Sequence, residues 1–238
     1  WLRRERFSDD FRNAWLLPLA AAVWTSPTAD IAQFPAGILV RFFQNHGFLG
    51  ARAQLPWRTI PGGCSSYLEP LVQPFRDRIL AGRPVRKVER EEGLVRVTAD
   101  GMEAREFDEV VFACHGDEVL PLLAAPTPEE TAVFRCFTTV ANEAWLHTDA
   151  SILPRARRAW ASWNHLRVAD GRLCLTYHMN RLQRLATRTD WFVSLNAHGL
   201  VDEKKVARRI LYRHPRFTVD TVQAQGKWSQ VSGVNRTH

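Results

Sequence analysis

The spacing of hydrophobic positions changes along the chain from helical to strand-like. In the first 60 residues apolar positions recur every three to four residues, as between Ile31 and Phe42, which predicts helices. A further helix is predicted after the glycine pair Gly62-Gly63. The residues that mark the early helix ends are Ser8, Asp9 and Thr28 as candidate N-caps, with Pro18 and Pro35 as expected interruptions.

The middle of the chain predicts a hairpin followed by a buried strand. "RPVRKVERE" and "GLVRVTA" alternate apolar and polar residues around Glu91-Glu92-Gly93, a hairpin pattern. "FDEVVFAC" has consecutive apolar residues, which predicts a strand buried on both faces. A helix is predicted over residues 115–124.

Strand patterns return after residue 138, in "TTVANEAWLHTD", "RAWASWN", "RLCLTYHMN" and "WFVSLN". Their short, regular separation predicts an antiparallel sheet. Helices, a nucleotide-domain-like block and a separate sheet together predict an α/β fold with α+β character, built from two intertwined domains.

Composition and charge change this picture little. The chain has 238 residues, 45% of them hydrophobic and 24% charged, enough for one large or two small domains. The net charge of +7 comes mostly from arginines dispersed among acidic residues, so we expect no nucleic-acid binding. A basic stripe with aromatics occurs only near "VARRILYRHPRF". The paired carboxylates Glu91-Glu92 and Glu129-Glu130 are interpreted as solvated charge.

The four cysteines and the longest apolar run limit where in the cell the protein is expected. The cysteines form no C-x-x-C pair and no His cluster accompanies them, which argues against disulfides and against a metal site and favours the cytoplasm. The run from Ala14 to Trp24 is too short to cross a bilayer, and this leaves a buried helix or a peripheral membrane contact open.

Small residues mark a candidate ligand site. Gly62 and Gly63 have no side chain and permit a ligand to approach the backbone closely. Ala113 and Cys114 are small residues at the end of a predicted strand, where ligands of α/β sheets bind. His115 follows at the same end. The alternative interpretation is a turn and a core strand, with His115 capping the next helix.

Aromatic residues are the candidates on the substrate side. The predicted sheet carries aromatic side chains suited to an apolar or planar substrate, and equally suited to a sheet core. These aromatic residues are Trp145, Trp160, Trp163, Tyr177 and Trp191. No Ser-His-Asp order, H-E-x-x-H or Walker motif occurs, so hydrolase, zinc-protease and NTPase functions have little support.

Several stretches together resemble one family. Their order and spacing are similar to those of FAD-dependent amine oxidase-like oxidoreductases. The stretches are "LPLAAAVWTSP", "FPAGILVRFFQNHGFL", "WRTIPGGCSSYLEPL", "PVRKVER", "FDEVVFACHGDEVLPLLAAPTPEE", "NEAWLHTDASILPRARRAWASWN" and "LTYHMNRLQ". This bacterial group is distantly related to monoamine oxidases and phytoene desaturases. The resemblance covers residues 10–236.

The resemblance implies a domain organisation and a cofactor. It implies a partial FAD-binding, Rossmann-like domain at 59–128, intertwined with a substrate domain whose helical part is 1–58 and whose sheet part is 129–225. Residues 226–238 would begin the return to the FAD-binding domain. Because G-x-G-x-x-G is absent, we expect a central fragment that alone is inactive, binds FAD weakly or not at all, and aggregates.

The resemblance also implies roles for particular residues. Val85 is expected to contact the adenine side of FAD through its backbone and to lie near the end of the 107–114 segment. Ala113, Cys114 and His115 are expected to flank the cofactor, with Gly62 and Gly63 close to it.

The substrate strand departs from the family pattern. Monoamine oxidases carry there a lysine that holds a water near the reactive flavin nitrogen, whereas "VANEAWLH" has Asn142 or Glu143 at the nearest position. We assign Asn142, Trp145 and Tyr177 to the substrate side, and the catalytic residue is left unassigned. The resemblance therefore indicates descent from the amine oxidase family more strongly than it indicates an amine substrate.

These residues predict an FAD-dependent oxidoreductase that takes a hydride from a C–N or C–C bond of an apolar or amine small molecule. One alternative is a flavin-dependent desaturase or isomerase of a lipid or isoprenoid, held peripherally at a membrane. Another is a non-catalytic scaffold derived from a flavoprotein. The sequence leaves the substrate, the electron acceptor and the oligomeric state undetermined.

Overall fold

The chain forms two compact units in the computed structural model, which describes residues 1–25, 28–32, 34–50, 56, 58–169 and 173–238. The first unit comprises Trp1–Leu71 and Val140–His214. The second comprises Val72–Thr139 and Pro215–His238.

Helices and strands alternate in blocks along the chain. The α-helices are α1 (Leu17–Trp24), α2 (Thr28–Ile31), α3 (Ala36–Asn45), α4 (Ser65–Val72), α5 (Gly116–Leu122), α6 (Pro128–Phe134), α7 (Met179–Gln183) and α8 (Val219–Gln225). The strands are β1 (Val85–Glu91), β2 (Leu94–Ala99), β3 (Arg105–Phe107), β4 (Thr139–His147), β5 (Trp163–Arg167), β6 (Leu173–His178), β7 (Phe192–Leu195) and β8 (Val206–Pro215). A π-helical turn (Phe11–Leu16) precedes α1, and a 3₁₀ segment (Gln73–Arg78) follows α4.

The first N-terminal helix begins, and the break before α3 falls, where the sequence predicts, but the expected interruption at Pro18 is wrong because the helical backbone continues through it. The Ser8 hydroxyl accepts a hydrogen bond from the Phe11 amide at 3.1 Å, which is an N-cap interaction. Pro18 lies in the first turn of α1, directly after the π-helical turn. Pro35 precedes α3 and separates it from α2, because proline lacks the amide proton that a continuous helix needs.

The apolar run at 14–24 forms core rather than surface. Leu17, Ala20 and Ala21 pack with Ile31, and Ala22 packs on the sheet of the same unit. Most apolar side chains of this run are therefore buried inside the first unit. Among the described residues no helix is both long and apolar enough for a membrane crossing.

The first unit contains a five-stranded sheet in the order β5-β6-β7-β4-β8. Strands β4, β6 and β7 pair antiparallel in register, with Trp145 opposite Ser194 and Tyr177 opposite Val193. Because side chains alternate between faces along a strand, this register assigns each residue to a face. One face packs through Ala144, Leu175 and Leu195 on Ala22 of α1, and the opposite face holds Trp145.

The strand prediction for "RAWASWN" is wrong. Residues Arg157–Ala159 form a 3₁₀ turn, and β5 begins only at Trp163. The Trp160 indole donates to the Pro154 carbonyl at 2.8 Å, and Asn164 bonds with the Ala161 backbone, so this segment is held in turns. The other three strand patterns correspond to β4, β6 and β7.

The second unit contains the predicted hairpin. Strands β1 and β2 pair antiparallel around Gly93, whose positive φ of 84° suits glycine, and β3 adds a third strand beside β2. Val88 and Val95 pack beneath it with Val119 and Leu123 of the following helix.

The prediction that "FDEVVFAC" is buried on both faces is wrong. Val110 and Phe112 pair in parallel with the C-terminal residues Arg236 and His238 through hydrogen bonds of 2.7–2.9 Å. Val111 points the other way and is 73% exposed. The segment is thus covered on one face only within the described residues.

All three domain boundaries drawn from the sequence need correction. Residues 59–71, assigned to the FAD-binding domain, lie in the first unit. The boundary at 128/129 cuts α6 after its first residue, although Val133 of α6 packs with Ala224 and Val231 in the second unit. That helix therefore belongs with the hairpin and not with the five-stranded sheet. Residues 215–225, assigned to the sheet domain from the sequence, also lie in the second unit.

Candidate functional site

Asn142 and Tyr177 meet at the C-terminal end of α1. The Asn142 amide nitrogen donates to the Thr25 carbonyl at 3.1 Å and lies 3.1 Å from Nδ1 of His214. The Tyr177 hydroxyl also hydrogen-bonds with Thr25. Thr25 adopts the left-handed conformation that ends the helix. Two predicted substrate residues are therefore brought together by Thr25, which the sequence analysis missed.

The electrostatics of this junction favour neutral groups. Asn142 is only 4% exposed. Burial raises the pKa of Tyr177 above its ordinary value, although the bond with Thr25 opposes the shift. Tyr177 is consequently protonated throughout the neutral range, and the junction offers hydrogen-bond donors without a charge.

Trp145 lies on the opposite face of the sheet from Asn142 and Tyr177. Its indole nitrogen donates to the Glu143 carboxylate at 2.7 Å, and the Arg209 guanidinium lies 4.0 Å from the centre of its ring. His198 contacts the same ring edge-on and the same carboxylate. The three predicted substrate residues therefore do not form one wall.

The remaining tryptophans also divide between the faces. Trp163 meets Tyr177 edge-to-face with ring centres 5.5 Å apart, so it belongs to the Asn142 face. Trp160 contacts His178 and Phe192 on the Trp145 face. An aromatic chamber on the Asn142 face would consist of Tyr177 and Trp163.

A buried polar network occupies the Trp145 face. His147 accepts the Asp149 backbone amide at Nδ1 (3.1 Å), so its Nε2 carries the proton and donates to the Ser194 hydroxyl at 2.8 Å. Ser194 lies 2.7 Å from the Thr176 hydroxyl. Burial lowers the pKa of His147, despite the nearby Asp149 carboxylate, and keeps the ring neutral.

Asp149 joins this network to the loop before β8. Its carboxylate accepts the backbone amides of Ser151 and Asp202, at 3.1 and 2.9 Å, and the Lys205 ammonium at 3.0 Å. Burial would raise the pKa of Asp149, but these hydrogen bonds outweigh it and hold the pKa far below its usual range. The side chain is a structural anion.

The cofactor candidates Ala113, Cys114 and His115 follow the parallel pair of the second unit. All three are exposed. His115 is the N-cap of α5, and the Glu118 carboxylate accepts its backbone amide at 3.2 Å, as the alternative capping interpretation has it. Its role beside the cofactor stays a prediction. Although the residue is exposed overall, partial desolvation of its sulfur and the carboxylates of Glu118 and Asp117 raise the pKa of Cys114, which keeps it a thiol.

Val85 stands at the far end of the hairpin from the 107–114 segment. It pairs with Ala99, whereas Phe107 pairs with Val95, the partner of Arg90. The expected proximity of Val85 to Phe107 is therefore wrong, because the strand register places the two residues at opposite ends of the three-stranded sheet. The adenine role of Val85 stays a prediction.

Gly62 and Gly63 lie in the first unit and adopt left-handed conformations. Their φ angles are 81° and 83°, which side chains rarely tolerate. The Gly63 carbonyl accepts the Ser66 amide and hydroxyl, which begins α4. No described atom lies within 4 Å of a side chain placed at Gly63, so space beside it is open.

Glu130 contradicts its interpretation as solvated charge. It is 2% exposed and forms a two-pronged ion pair with Arg90. It also accepts the Thr127 amide at 2.7 Å, in a capping box at the start of α6. Burial would raise the pKa of Glu130, but the bonds from Arg90 and Thr127 lower it overall.

The family is shown by sequence comparison. The sequence model of the family described as flavin containing amine oxidoreductase matches residues 5–188. The chain belongs to this family, and the cofactor is accordingly FAD. No curated protein matches the chain in sequence.

Solved structures show the same fold. Cyclohexylamine oxidase from Brevibacterium oxydans is similar with a TM-score of 0.64 at 10% identity, over 100% of this chain and 60% of the oxidase. A wild-type putrescine oxidase bound to putrescine is similar with a TM-score of 0.51 at 11% identity, over 75% of this chain and 46% of that one. The predicted α/β fold is confirmed, and the chain spans about half the length of these oxidases.

Proposed function

We propose that this protein, with FAD bound, takes a hydride from a C–N or C–C bond of a largely apolar substrate, and that the Asn142 face forms part of the substrate wall. The family match over residues 5–188 is the observation that carries the redox assignment. The lysine near the flavin in monoamine oxidases corresponds to Asn142 or Glu143. Because the Glu143 carboxylate is held by the Trp145 indole and by His198, we take Asn142 as the equivalent position. Tyr177 and Trp163 share that face.

The residues around the proposed cofactor site fit FAD. Val111, Ala113 and Cys114 expose apolar and thiol surface beside Val110, which forms an isolated parallel bridge with Thr237, and ligands of α/β sheets bind beyond the ends of such pairs. When bound, FAD supplies the two-electron acceptor for the reaction.

The protein's own side chains would bind and orient the substrate and exclude water. On the Asn142 face Ala144, Leu175 and Leu195 are covered by Ala22 of α1, so a substrate would contact the part around Tyr177 and Trp163, where Tyr177 is uncharged. Since this wall offers no strong base, an amine substrate would have to arrive uncharged. Tyr177 and Asn142 instead hold the end of α1 against the wall through Thr25.

The neutral wall also favours the second candidate, oxidation or isomerisation of a lipid acyl chain. Binding of a charged ammonium group would be helped by a carboxylate, and none lies among the residues that form this face in the described structure. An acyl chain requires apolar surface alone. The two candidates therefore differ in the donor that reduces the flavin.

Anaerobic reduction of the bound flavin tests the proposal. The protein from the whole open reading frame, loaded with FAD, is mixed with primary amines and, separately, with unsaturated fatty acids, and loss of flavin absorbance is followed. We expect reduction by one of these apolar donors. Isomerisation returns the hydride to the acyl chain and leaves the flavin oxidised, so the fatty acids are also analysed for a shifted double bond. A flavin that neither class reduces, although dithionite reduces it, together with unchanged fatty acids contradicts the proposal.

Replacing Tyr177 with Phe tests the choice of face. Loss of a hydrogen bond worth about 1 kcal/mol should slow flavin reduction about fivefold, because the end of α1 is then less firmly placed. Tyr67→Phe is the control, since it removes the same hydroxyl from an exposed helix position. Equal rates in the two variants would place the substrate elsewhere.

A further inference from the structure

A cavity of about 540 Å³ lies against strands β5 and β6 of the first unit. Asn164, Leu166 and Thr176 line it. Thr176 pairs with Asn164 on one side and with Ser194 on the other, and Ser194 is the partner of Trp145. Leu166 follows Asn164 by two residues and shares its face. The floor of the cavity is therefore on the Trp145 face.

The cavity reaches the outer edge of the sheet. Strand β5 is the outermost strand on this side of the described sheet. Trp163 and His165 alternate with the floor residues and border the cavity along that edge. The opening is therefore at β5, where a small molecule can enter.

Hydrogen bonds hold the walls of the cavity in place. The Asn164 side chain accepts the Ala161 amide at 2.9 Å and donates to the Ala161 carbonyl at 2.8 Å. The Trp160 indole donates to the Pro154 carbonyl at 2.8 Å. Ala161 and Pro154 both line the cavity. The walls are thus fixed from within the first unit, and the Asn164 amide is already committed to them.

The lining is uncharged and largely apolar. Ile152, Leu153, Leu166 and Leu200 contribute aliphatic side chains. None of the described residues that line the cavity is Asp, Glu, Lys or Arg. An ion would lose its hydration there without gaining an opposite charge. The lining therefore suits an uncharged molecule with an apolar body.

A count of hydroxyl protons leaves one donor at the floor. His147 donates to the Ser194 oxygen, and Thr176 Oγ1, 2.7 Å away, is the acceptor that the described residues offer to the Ser194 proton. The reverse arrangement would leave the proton of Ser194, which is fully buried, without an acceptor, and that is costly. Ser194 therefore donates to Thr176. The Thr176 proton is then left to an acceptor inside the cavity that Thr176 lines.

We propose that this cavity binds a small, uncharged, largely apolar molecule that presents a carbonyl oxygen to the Thr176 hydroxyl. A carbonyl oxygen accepts a hydrogen bond without carrying a charge, and it brings no further proton in need of an acceptor. The aliphatic side chains contact the rest of the molecule. The proposal rests on the cavity and its hydrogen bonds, and it does not depend on the proposed function.

Calorimetric titration with three probes of similar shape tests the proposal. The FAD-loaded protein from the whole open reading frame is titrated with acetophenone, with α-methylstyrene, in which a CH₂ group replaces the carbonyl oxygen, and with benzoate, which is charged. We expect acetophenone to bind about fivefold more tightly than α-methylstyrene, the effect of one hydrogen bond. Benzoate should bind at least about tenfold more weakly than acetophenone. Absent binding of both neutral probes, or equal binding of the two, would overturn the proposal.

Thr176→Val tests the donor, because valine keeps the shape and removes the hydroxyl. It should abolish the preference for acetophenone and keep the affinity for α-methylstyrene within about twofold. Thr189→Val makes the same exchange at an exposed position of the same unit outside the lining, and it should keep the preference. A preference that survives in Thr176→Val, or equal losses for both probes, would contradict the assigned donor and overturn the proposal.

Ala161→Leu tests the location of the bound probe. Leucine at this wall position takes up space that the probe needs, so the affinity for both neutral probes should fall at least about tenfold. Ala156→Leu makes the same exchange in the neighbouring turn, outside the lining, and should change the affinity less than about twofold. Equal affinities in the two variants would place the probe elsewhere and overturn the proposal. A flavin that no donor reduces, in a protein that binds acetophenone as expected, would contradict the proposed function alone.

Discussion

Replacing Glu130 with Gln is expected to lower the free energy of unfolding by about 3–5 kcal/mol. The substitution leaves the Arg90 guanidinium buried opposite a neutral group, and an unpaired buried charge is costly. Arg90 also donates to the Ala125 carbonyl at 2.5 Å and to Thr237 at 3.3 Å, so it joins β1, the start of α6 and the C-terminal segment. Urea unfolding measures the change.

Glu129→Gln is the matched control, because Glu129 precedes Glu130 in the same helix but is exposed. Its effect should stay below about 0.5 kcal/mol. The pH dependence gives a second check. The folded pKa of Glu130 is depressed, so its stabilisation is complete above about pH 4.5 and disappears as the pH falls through the folded pKa. Equal losses in both variants would contradict the buried ion pair.

Replacing His147 with Leu is expected to cost about 2–4 kcal/mol at neutral pH. The imidazole satisfies the Asp149 amide and the Ser194 hydroxyl, and both would be left buried without it. Leucine has a similar volume, so the loss reports mainly on the hydrogen bonds. Unfolding by urea at about pH 7.5 measures it.

The same variant should change the pH dependence of stability. Because the folded pKa of His147 lies below its unfolded value of about 6.5, the unfolded state takes up the proton first, and stability falls as the pH drops below about 6.5. The cost of His147→Leu should therefore be smaller at about pH 5.5 than at about pH 7.5. His165→Leu, at an exposed position of β5, should cost little at either pH. A cost independent of pH would show that His147 is not buried neutral.

Local pattern was sufficient for most of the elements, although not for "RAWASWN", and it was not sufficient for the faces of the sheet. The hairpin around Gly93 and the strands β4, β6 and β7 follow from alternation and turn residues. Whether Trp145 and Tyr177 share a face depends on the strand register, which pairs them with Ser194 and Val193. Register is set by tertiary pairing, so the sequence could not show that these two residues are separated.

The burial of polar residues was the second feature that the sequence pattern did not predict. Glu130, His147 and Asp149 are polar in the sequence and buried in the fold. Each is buried because a distant partner satisfies it, such as Arg90, Ser194 or Lys205. The "T-x-x-E" spacing of Thr127 and Glu130 was a usable signal for the capping box. Nothing in the sequence identified Thr25 as the residue that joins Asn142 and Tyr177.

The FAD content of the purified protein tests the central claim most directly. The protein is expressed from its whole open reading frame, the bound cofactor is released by denaturation, and FAD is quantified against the chain. We expect a yellow protein with close to one FAD per chain. A colourless protein that takes up no added FAD would contradict the account.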